Sequence, residues 1–335
     1  MIHTFQMYAE VINIYDFLSA FAFPKNSIDK LLASRKKVLK LRYVKLPPGI
    51  LEIFVLSFGL SFYVFIKIEP QRLLDNKATL KLFKPTAFNI LKLFTYFDRA
   101  MLPYLINCPE LQYLSYLSSY KLCRIDYTKD FSTSYVPEIL NLLKNSGKKN
   151  NRYHFSDGNG YSSYYAFRQS YSITLYNKSD EISNKFNRHN NYTELINASQ
   201  DILRFEFQFK KSAIAYRCKK LEINNNVISF LIASQKLAPE ILSSEYRKIV
   251  GTGSFYKAYR ANKIINDSSF SPAMKKRLTV FLKDLSGSSM KKYSSPTIRS
   301  YTAKLEELGI SPIIIPKNWK CPSCIPNPAK NLENM

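Results

Sequence analysis

The sequence predicts an α+β fold: a central antiparallel β-sheet with helices packed on one face and its other face open, followed by a mainly helical C-terminal region. Three segments predict the sheet, because each alternates in polarity with period two, as strands with one dry and one wet face do. They are residues 123–130, 172–178 and 203–210. From about residue 241 the pattern changes to short helices rich in Lys, Arg and Ser, which predicts the helical region.

The apolar run over residues 50–68 decides how the N-terminal half is interpreted. It is about as long as a membrane span, but it contains Glu52, Gly59 and Lys67 and is rich in Phe, Tyr, Val and Ile. Two buried antiparallel strands that turn near residues 57–59 explain it better than a transmembrane helix. Periodicity and capping residues predict the other elements here: a strand over 1–11, a helix over 27–40, a strand over 41–46 and a helix over 85–104.

The segments that follow the first signature strand predict alternating helices and strands. In chain order they are a helix over 137–144, a hairpin over 152–168, a helix over 180–186 and a loop or irregular helix over 187–197. The Asp157-Gly158 pair between two aromatic runs is the signal for the hairpin. The third signature strand closes the predicted catalytic unit.

The C-terminal third predicts a helix over 272–285 and a second helix capped by Ser294 that ends near Gly309, before a β-like segment over 310–315. This order is compatible with a plain or winged helix-turn-helix, and equally with a helical tail that covers the sheet. We expect an N-terminal domain over 1–235 that contains the three signature strands, a helical region over 240–320, and a tail over 321–335.

The charge and the aromatic content point to a polyanionic partner. The chain has 49 Lys and Arg against 25 Asp and Glu, a formal net charge of +24, and basic side chains gain free energy by releasing counterions from phosphates. An anionic membrane surface would give the same bias. The 24 Tyr and 23 Phe residues favour nucleic acid, because their rings can stack on unpaired bases. The open sheet face is therefore the expected DNA-binding face.

The five cysteines are odd in number and irregularly spaced, which fits a reducing compartment better than a disulfide framework. Cys321 and Cys324 form a single CxxC without a second pair or a nearby histidine, so we interpret the motif as incidental. No basic region precedes the apolar N-terminal residues, and no secretory signal is expected.

The wet faces of the three signature strands carry the residues from which we predict chemistry. Asp126 and Glu206 could hold Mg²⁺ or Mn²⁺ through oxygen ligands, and Tyr176 could attack phosphorus as a nucleophile. Lys178 would favour the phenolate, and Glu181 could accept a proton or add a ligand. Basic residues near these strands, in the loop after residue 147 and in the last helix are predicted to bind DNA: Arg124, Arg204, Lys210, Lys148, Lys149, Arg299 and Lys304.

Each of these residues also has an ordinary structural interpretation. A single carboxylate on an exposed strand is usually just solvated. Tyr176 taken alone is an ordinary strand tyrosine, and it has local competitors in Tyr161, Tyr164, Tyr165 and Tyr171.

The three segments also resemble the motifs of a known family, in the same order and with similar separations. Residues 123–131, CRIDYTKDF, resemble the RID strand of the rolling-circle replication initiators of filamentous phages, the gene II/X family. Residues 172–182, SITLYNKSDEI, resemble its Tyr-x-Lys-x-x-Glu segment, and residues 202–210, ILRFEFQFK, its RFE strand. The Rep initiators of Gram-positive plasmids are more distantly similar. The resemblance covers about residues 40–220, including a match at 65–76.

The resemblance implies a site-specific, metal-dependent nickase that initiates rolling-circle replication. In the family, the tyrosine that matches Tyr176 attacks DNA, leaves a 5′-phosphotyrosyl end and a free 3′-OH, and later allows strand rejoining. Asp126 and Glu206 match the acidic positions, and Lys178 and Glu181 the other charged ones. The implied partners are double-stranded and single-stranded origin DNA, the helicase and polymerase of a bacterial host in its cytoplasm, and possibly a second copy of the chain.

Two other functions are compatible with the composition. A non-catalytic, sequence-specific DNA-binding protein of a plasmid or phage would need the basic charge and the C-terminal helices, but no ordered carboxylates. A membrane-surface protein would rest on the charge and the run over residues 50–68. We expect no membrane partner.

Overall fold

The computed structural model describes residues 1–21, 29, 38–40, 46–58, 61–147, 154–156, 163–186, 192–286 and 293–329. The chain divides into two compact units. Unit 1 consists of Met1–Thr128, Gln169–Ser172 and Glu206–Glu240. Unit 2 consists of Lys129–Arg168, Ile173–Phe205 and Ile241–Met335.

Unit 1 is built on antiparallel strands. They are β1 (Ile2–Val11), β2 (Val38–Lys40), β3 (Ile50–Phe58), β4 (Ser61–Ile68) and the unit's parts of β5 (Lys121–Ser132) and β9 (Ile202–Lys210), in the order β2-β3-β4-β1-β5-β9. β1 pairs with both β4 and β5, and β4 also pairs with β3. Gly49, in the turn immediately before β3, has φ +96, and a Cβ there would lie 2.4 Å from the Leu73 backbone nitrogen, so this turn needs glycine.

The alternation along these strands separates a buried face from a half-exposed one. Met7, Val55 and Ile66 are fully or almost fully buried, whereas their neighbours Tyr8, Phe54 and Phe65 are only half-buried. The helices of unit 1 are α1 (Ile14–Ala20), α2 (Pro70–Asp75), α3 (Ala87–Leu105), α7 (Lys211–Leu221) and the first part of α8 (Val227–Ile249). α3 buries a stripe at helical spacing that consists of Ile90, Leu93, Phe97, Met101 and Leu105.

Unit 2 contains the remaining strands of the sheet and a C-terminal group of helices. With its parts of β5 and β9, its strands are β8 (Tyr171–Asn177), β7 (Ser163–Phe167) and β6 (His154–Ser156), in the order β5-β9-β8-β7-β6. Its helices are α4 (Val136–Gly147), α5 (Lys178–Phe186), α6 (Thr193–Ala198), the end of α8, α9 (Ala258–Asp267), α10 (Pro272–Ser286) and α11 (Ser295–Glu307). β10 (Phe255–Tyr256) and β11 (Cys324–Ile325) form a small separate antiparallel pair.

The predicted α+β class, the antiparallel sheet and the helical C-terminal region are confirmed. The run over residues 50–68 forms the antiparallel strands β3 and β4, as predicted. Among the described residues, no helix combines the length and the hydrophobicity that a bilayer-spanning segment needs. The helix predicted over 85–104 is α3, and the one over 137–144 is α4.

Several predicted boundaries differ from the structure. The end of the predicted helix over 27–40 is strand β2, and most of the rest lies outside the described residues, as do residues 41–45 of the predicted strand over 41–46. In the segment over 187–197, which was predicted as loop or irregular helix, residues from 193 onward belong to helix α6. Residues 310 and 315 make isolated bridges with Ser254 and Lys257 instead of forming a strand. The predicted domain boundary between 235 and 240 lies inside α8, so the three-part division stays a prediction.

α9, α10 and α11 surround a hydrophobic core of their own. Its buried members are Ala261, Ile265, Leu278, Phe281, Leu282, Leu305 and Ile310. Phe281 packs edge-on against Tyr293 and Tyr301, with centroid separations of 5.2 and 5.3 Å. Ser294 caps α11 by accepting a hydrogen bond from the Thr297 amide, as the sequence predicted.

We expect Phe281→Ala to lower the free energy of unfolding by about 3–5 kcal/mol, because it leaves a cavity in this core. Val280 is next in the chain but 46% exposed, so Val280→Ala should change stability by no more than about 0.5 kcal/mol. Urea unfolding followed by circular dichroism measures both. Equal losses in the two variants would contradict the packing described for α10.

Candidate active site

Unit 1 contains a cluster of polar side chains from β1, β5 and β9. Asp126 lies at its centre and is only 1% exposed. Arg124 holds this carboxylate with two hydrogen bonds, from Nε to Oδ1 at 3.0 Å and from Nη2 to Oδ2 at 2.7 Å. The Thr4 hydroxyl donates a further hydrogen bond to Oδ2. A buried carboxylate needs such partners, because an unpaired charge in a dry environment is costly.

A β-bulge in β1 brings Thr4 and His3 to this place. Ile2 pairs with Tyr127 and Phe5 with Ile125, so two residues of β1 lie opposite Asp126 alone. Such a bulge redirects side chains locally. It places the Thr4 hydroxyl on Asp126, whereas the imidazole of His3 reaches Glu206 on β9, with 2.7 Å between Nδ1 and Oε1.

Arg124 links the two carboxylates electrostatically. Burial opposes its charge, but the negative charges of Asp126 and, more weakly, Glu206 outweigh this effect and raise the pKa of Arg124 above its ordinary value. The arginine therefore stays protonated and neutralises part of the charge on this acidic pair.

Asp126 in this arrangement already has a positively charged partner. Both oxygens of Asp126 already accept hydrogen bonds, and a guanidinium occupies the position next to them. Within the described part of the chain, no group of three His, Cys, Asp or Glu side chains is placed to hold a metal ion. The Mg²⁺ or Mn²⁺ site at Asp126 and Glu206 therefore stays a prediction.

The predicted nucleophile and its charged neighbours belong to unit 2. Tyr176 is the second-last residue of β8 and is 8% exposed, so the prediction that it lies on a wet face is wrong. Asn177 ends the strand, and its side chain accepts a hydrogen bond from the Ser179 amide at 3.1 Å, which caps α5. Lys178 and Glu181 in the first turn of α5 form an ion pair of 2.6 Å. α5 begins two residues before its predicted start.

Arg204 differs most from its predicted role. Its side chain is 1% exposed and donates two hydrogen bonds to Asp130, from Nε at 2.6 Å and from Nη2 at 2.7 Å. Arg204 was expected on a polar DNA-binding face, but the buried guanidinium joins β9 to β5 within unit 2. A direct contact with DNA does not fit this geometry.

The other predicted DNA-binding residues are at or near the surface, or outside the described residues. Lys210 is half-buried at the end of β9, and Arg299 is exposed on α11. The ammonium of Lys304 lies 5.2 Å from the centre of the Phe270 ring. Lys148 and Lys149 lie outside the described residues.

Three of the tyrosines that compete with Tyr176 have structural partners. Tyr164 is 5% exposed, and this burial raises the pKa of its phenol above the ordinary value. Tyr165 stacks on Phe167, and Tyr171 stacks on Phe207. Tyr161 lies outside the described residues. A buried phenol with a raised pKa is a poor nucleophile at neutral pH, which argues against Tyr164.

Comparison with known proteins gives a match to a family model. Residues 90–229 match the model of the N-terminal part of a replication-associated protein, the phage gene II protein. The match covers less than half of the chain. The match contains all three signature segments and confirms the resemblance to filamentous-phage gene II-type replication initiators. It begins after β1, β3 and β4 and ends within α8, so the segment at 65–76 lies outside it. No curated protein matches the chain.

The match supports a replication-associated protein. Sequence reasoning found Asp126, Tyr176 and Glu206 inside the matched residues, but it missed His3 and Thr4, which lie before them. The only sequence signal for these two was their place in a strand, because a bulge that turns two adjacent residues toward one partner leaves no periodic pattern.

We expect Arg124→Ala to strengthen Mn²⁺ binding by about tenfold or more, because it removes a positive charge next to the acidic pair and releases Oδ1 of Asp126. Titration of free Mn²⁺ by electron paramagnetic resonance measures this affinity. Arg217→Ala is the matched control, since it removes the same charge from a residue that lies 5.8 Å from the Phe209 ring. Equal affinities in the wild type and Arg124→Ala would show that the guanidinium does not restrict the site.

Proposed function

We propose that this protein initiates rolling-circle replication by nicking one strand of origin DNA, with Tyr176 as the nucleophile. The observation that carries the proposal is the family match, which encloses the Tyr176 segment and both acidic strands. In support, the strand that carries Tyr176 leads directly into a capped helix with a Lys178–Glu181 ion pair in its first turn.

The proposed reaction transfers a phosphoryl group from DNA to the protein. The phenolate oxygen of Tyr176 attacks phosphorus, a new O–P bond forms, and the bond from phosphorus to the 3′ oxygen breaks. The leaving oxygen takes a proton and becomes the free 3′-OH, while the 5′ phosphate stays on the tyrosine. Attack by the 3′-OH of an incoming strand end reverses these steps and rejoins the DNA.

The start of α5 is favourable for binding the negatively charged phosphate that reacts. The N-terminus of a helix carries a partial positive charge that favours phosphate oxygens nearby. Lys178 adds a full positive charge, and Glu181, 2.6 Å from its ammonium, could take the phenol proton. Because only 8% of Tyr176 is exposed, the proposal requires DNA binding to make the phenol oxygen accessible.

The acidic cluster of unit 1 contains a candidate phosphate contact, Arg124. The side chain of Arg124 is 30% exposed, and its guanidinium has the planar donor geometry that matches phosphate oxygens. A divalent cation stays part of the proposal as a requirement to be tested, since Mg²⁺ or Mn²⁺ would polarise the scissile phosphate when bound. Helicase, polymerase and a second copy of the chain are partners that the proposal retains from the resemblance.

A non-catalytic DNA-binding protein is the second candidate function. The observation that favours it is the engagement of both Asp126 oxygens by Arg124 and Thr4. Such a protein would bind DNA equally well in EDTA and would form no covalent adduct.

We expect Tyr176→Phe to abolish the covalent adduct, because it lacks the attacking oxygen. The substrate is supercoiled DNA that carries the replicon's own origin, incubated with Mg²⁺ or with EDTA. Nicking is measured as open circle, and the adduct as DNA-linked peptide in mass spectrometry. Tyr165→Phe serves as the control and should react like the wild type. An adduct that persists in Tyr176→Phe would move the nucleophile to another tyrosine.

For α11 we expect Arg299→Ala to weaken duplex binding uniformly across sequences and to lower the slope of log K against log salt by about one, because an exposed arginine contacts phosphate. Fluorescence anisotropy of a labelled duplex at several salt concentrations measures this slope. Lys317→Ala removes the same charge from an exposed residue outside the helix. If both variants lower the slope equally, α11 has no special part in DNA binding.

A further inference from the structure

Three aromatic rings from three neighbouring strands form a continuous stack on the half-exposed face of unit 1. This ring row consists of Phe54 on β3, Phe65 on β4 and Tyr8 on β1, which are direct cross-strand partners. The rings of Phe54 and Phe65 are 4.8 Å apart and nearly parallel, at 1°. Those of Phe65 and Tyr8 are 5.5 Å apart at 21°.

Positive charge surrounds the Tyr8 end of the ring row. The ammonium of Lys211 lies 4.6 Å from the centre of the Tyr8 ring. Lys121, which is exposed, is the cross-strand partner of Tyr8 on β5. In the next row of the sheet, Lys67 lies between Gln6 and Glu52. Glu10, which is exposed, follows Tyr8 by two residues on β1, so two acidic groups also border this surface.

The ring row lies on the same sheet face as the polar cluster around Asp126. Gln6, two residues before Tyr8, is the cross-strand partner of Arg124, and partners in an antiparallel pair share a face. Thr4 is four residues from Tyr8 along β1, which corresponds to about 13 Å at strand spacing. A strand of nucleic acid that lies on the rings can therefore continue to Arg124.

We propose that the ring row and Lys211 bind single-stranded DNA by stacking on unpaired bases. The proposal rests on the proposed function for its choice of DNA, and it adds the form of the substrate and the surface that holds it. The half-exposed rings can extend their stack by adding an unpaired base. Duplex DNA cannot supply such a base, because its bases already stack on one another. Lysines at the end of the row attract the phosphates that accompany each base.

The competing explanation is structural, since cross-strand aromatic pairs also stabilise a sheet. Two oligonucleotides of equal length and charge separate the explanations: a labelled single-stranded dT oligomer and an abasic oligomer that keeps only the sugar–phosphate backbone. A basic surface alone binds both equally. A stacking surface prefers dT, and we expect a preference of about tenfold or more in the wild type.

We expect Phe65→Leu and Phe54→Leu each to reduce this preference at least about threefold, since leucine keeps apolar volume but cannot stack. Tyr8→Leu is expected to act in the same direction. Phe88→Leu is the control, because Phe88 is an aromatic residue on α3 that is 65% exposed and outside the row. Fluorescence anisotropy measures each affinity, and circular dichroism confirms that each variant is folded.

The outcomes separate this inference from the proposed function. If the wild type binds dT and the abasic oligomer equally, the ring row does not stack on bases, even if Tyr176 forms its adduct. A dT preference that survives in folded Phe65→Leu and Phe54→Leu overturns it too. A preference that these variants lose, in a protein that forms no adduct, supports the ring row and rejects the nickase. Unlabelled duplex DNA should compete poorly for the dT site.

Discussion

The buried carboxylate of Asp126 is the constraint on which the open face of unit 1 depends. A charge that is 1% exposed must be paired, and removing one partner of such a pair costs roughly 3–5 kcal/mol. Arg124 supplies the charge, and the β1 bulge supplies the Thr4 hydroxyl. The same bulge gives Glu206 its contact with His3. The carboxylate of Asp126 is thus linked to the register of three strands, to the bulge in β1 and to the positions of the surrounding side chains.

This arrangement changes how the acidic motifs are interpreted. Two carboxylates on neighbouring strands suggest a cation site, but here an arginine two residues from Asp126 already provides the positive charge. A guanidinium and a hard cation both neutralise carboxylates, and they cannot occupy the same oxygens. Arg124 is thus both a partner of Asp126 and a candidate phosphate contact, and these two roles compete for one set of donors.

The two groups of candidate residues are built differently. In unit 1 the side chains come from separate strands and meet through sheet register. In unit 2 the chemistry is local, because Tyr176, Lys178 and Glu181 lie within six residues where β8 passes into α5. A local arrangement depends on capping and helix geometry, and this is why its spacing was visible in the sequence. The sheet cluster needed the strands to be aligned first.

The sequence by itself determined the α+β class, the strands with period-two alternation and the strands on which Asp126, Tyr176 and Glu206 lie. These features depend on local periodicity and on short motifs. Tertiary structure alone decided that Arg204 is buried against Asp130, that His3 and Thr4 join the acidic pair, and that Phe54, Phe65 and Tyr8 stack in one row. Each of these contacts joins residues from different strands. Which residues meet across a sheet depends on strand order, register and bulges, and a one-residue shift in register would have changed every such pair.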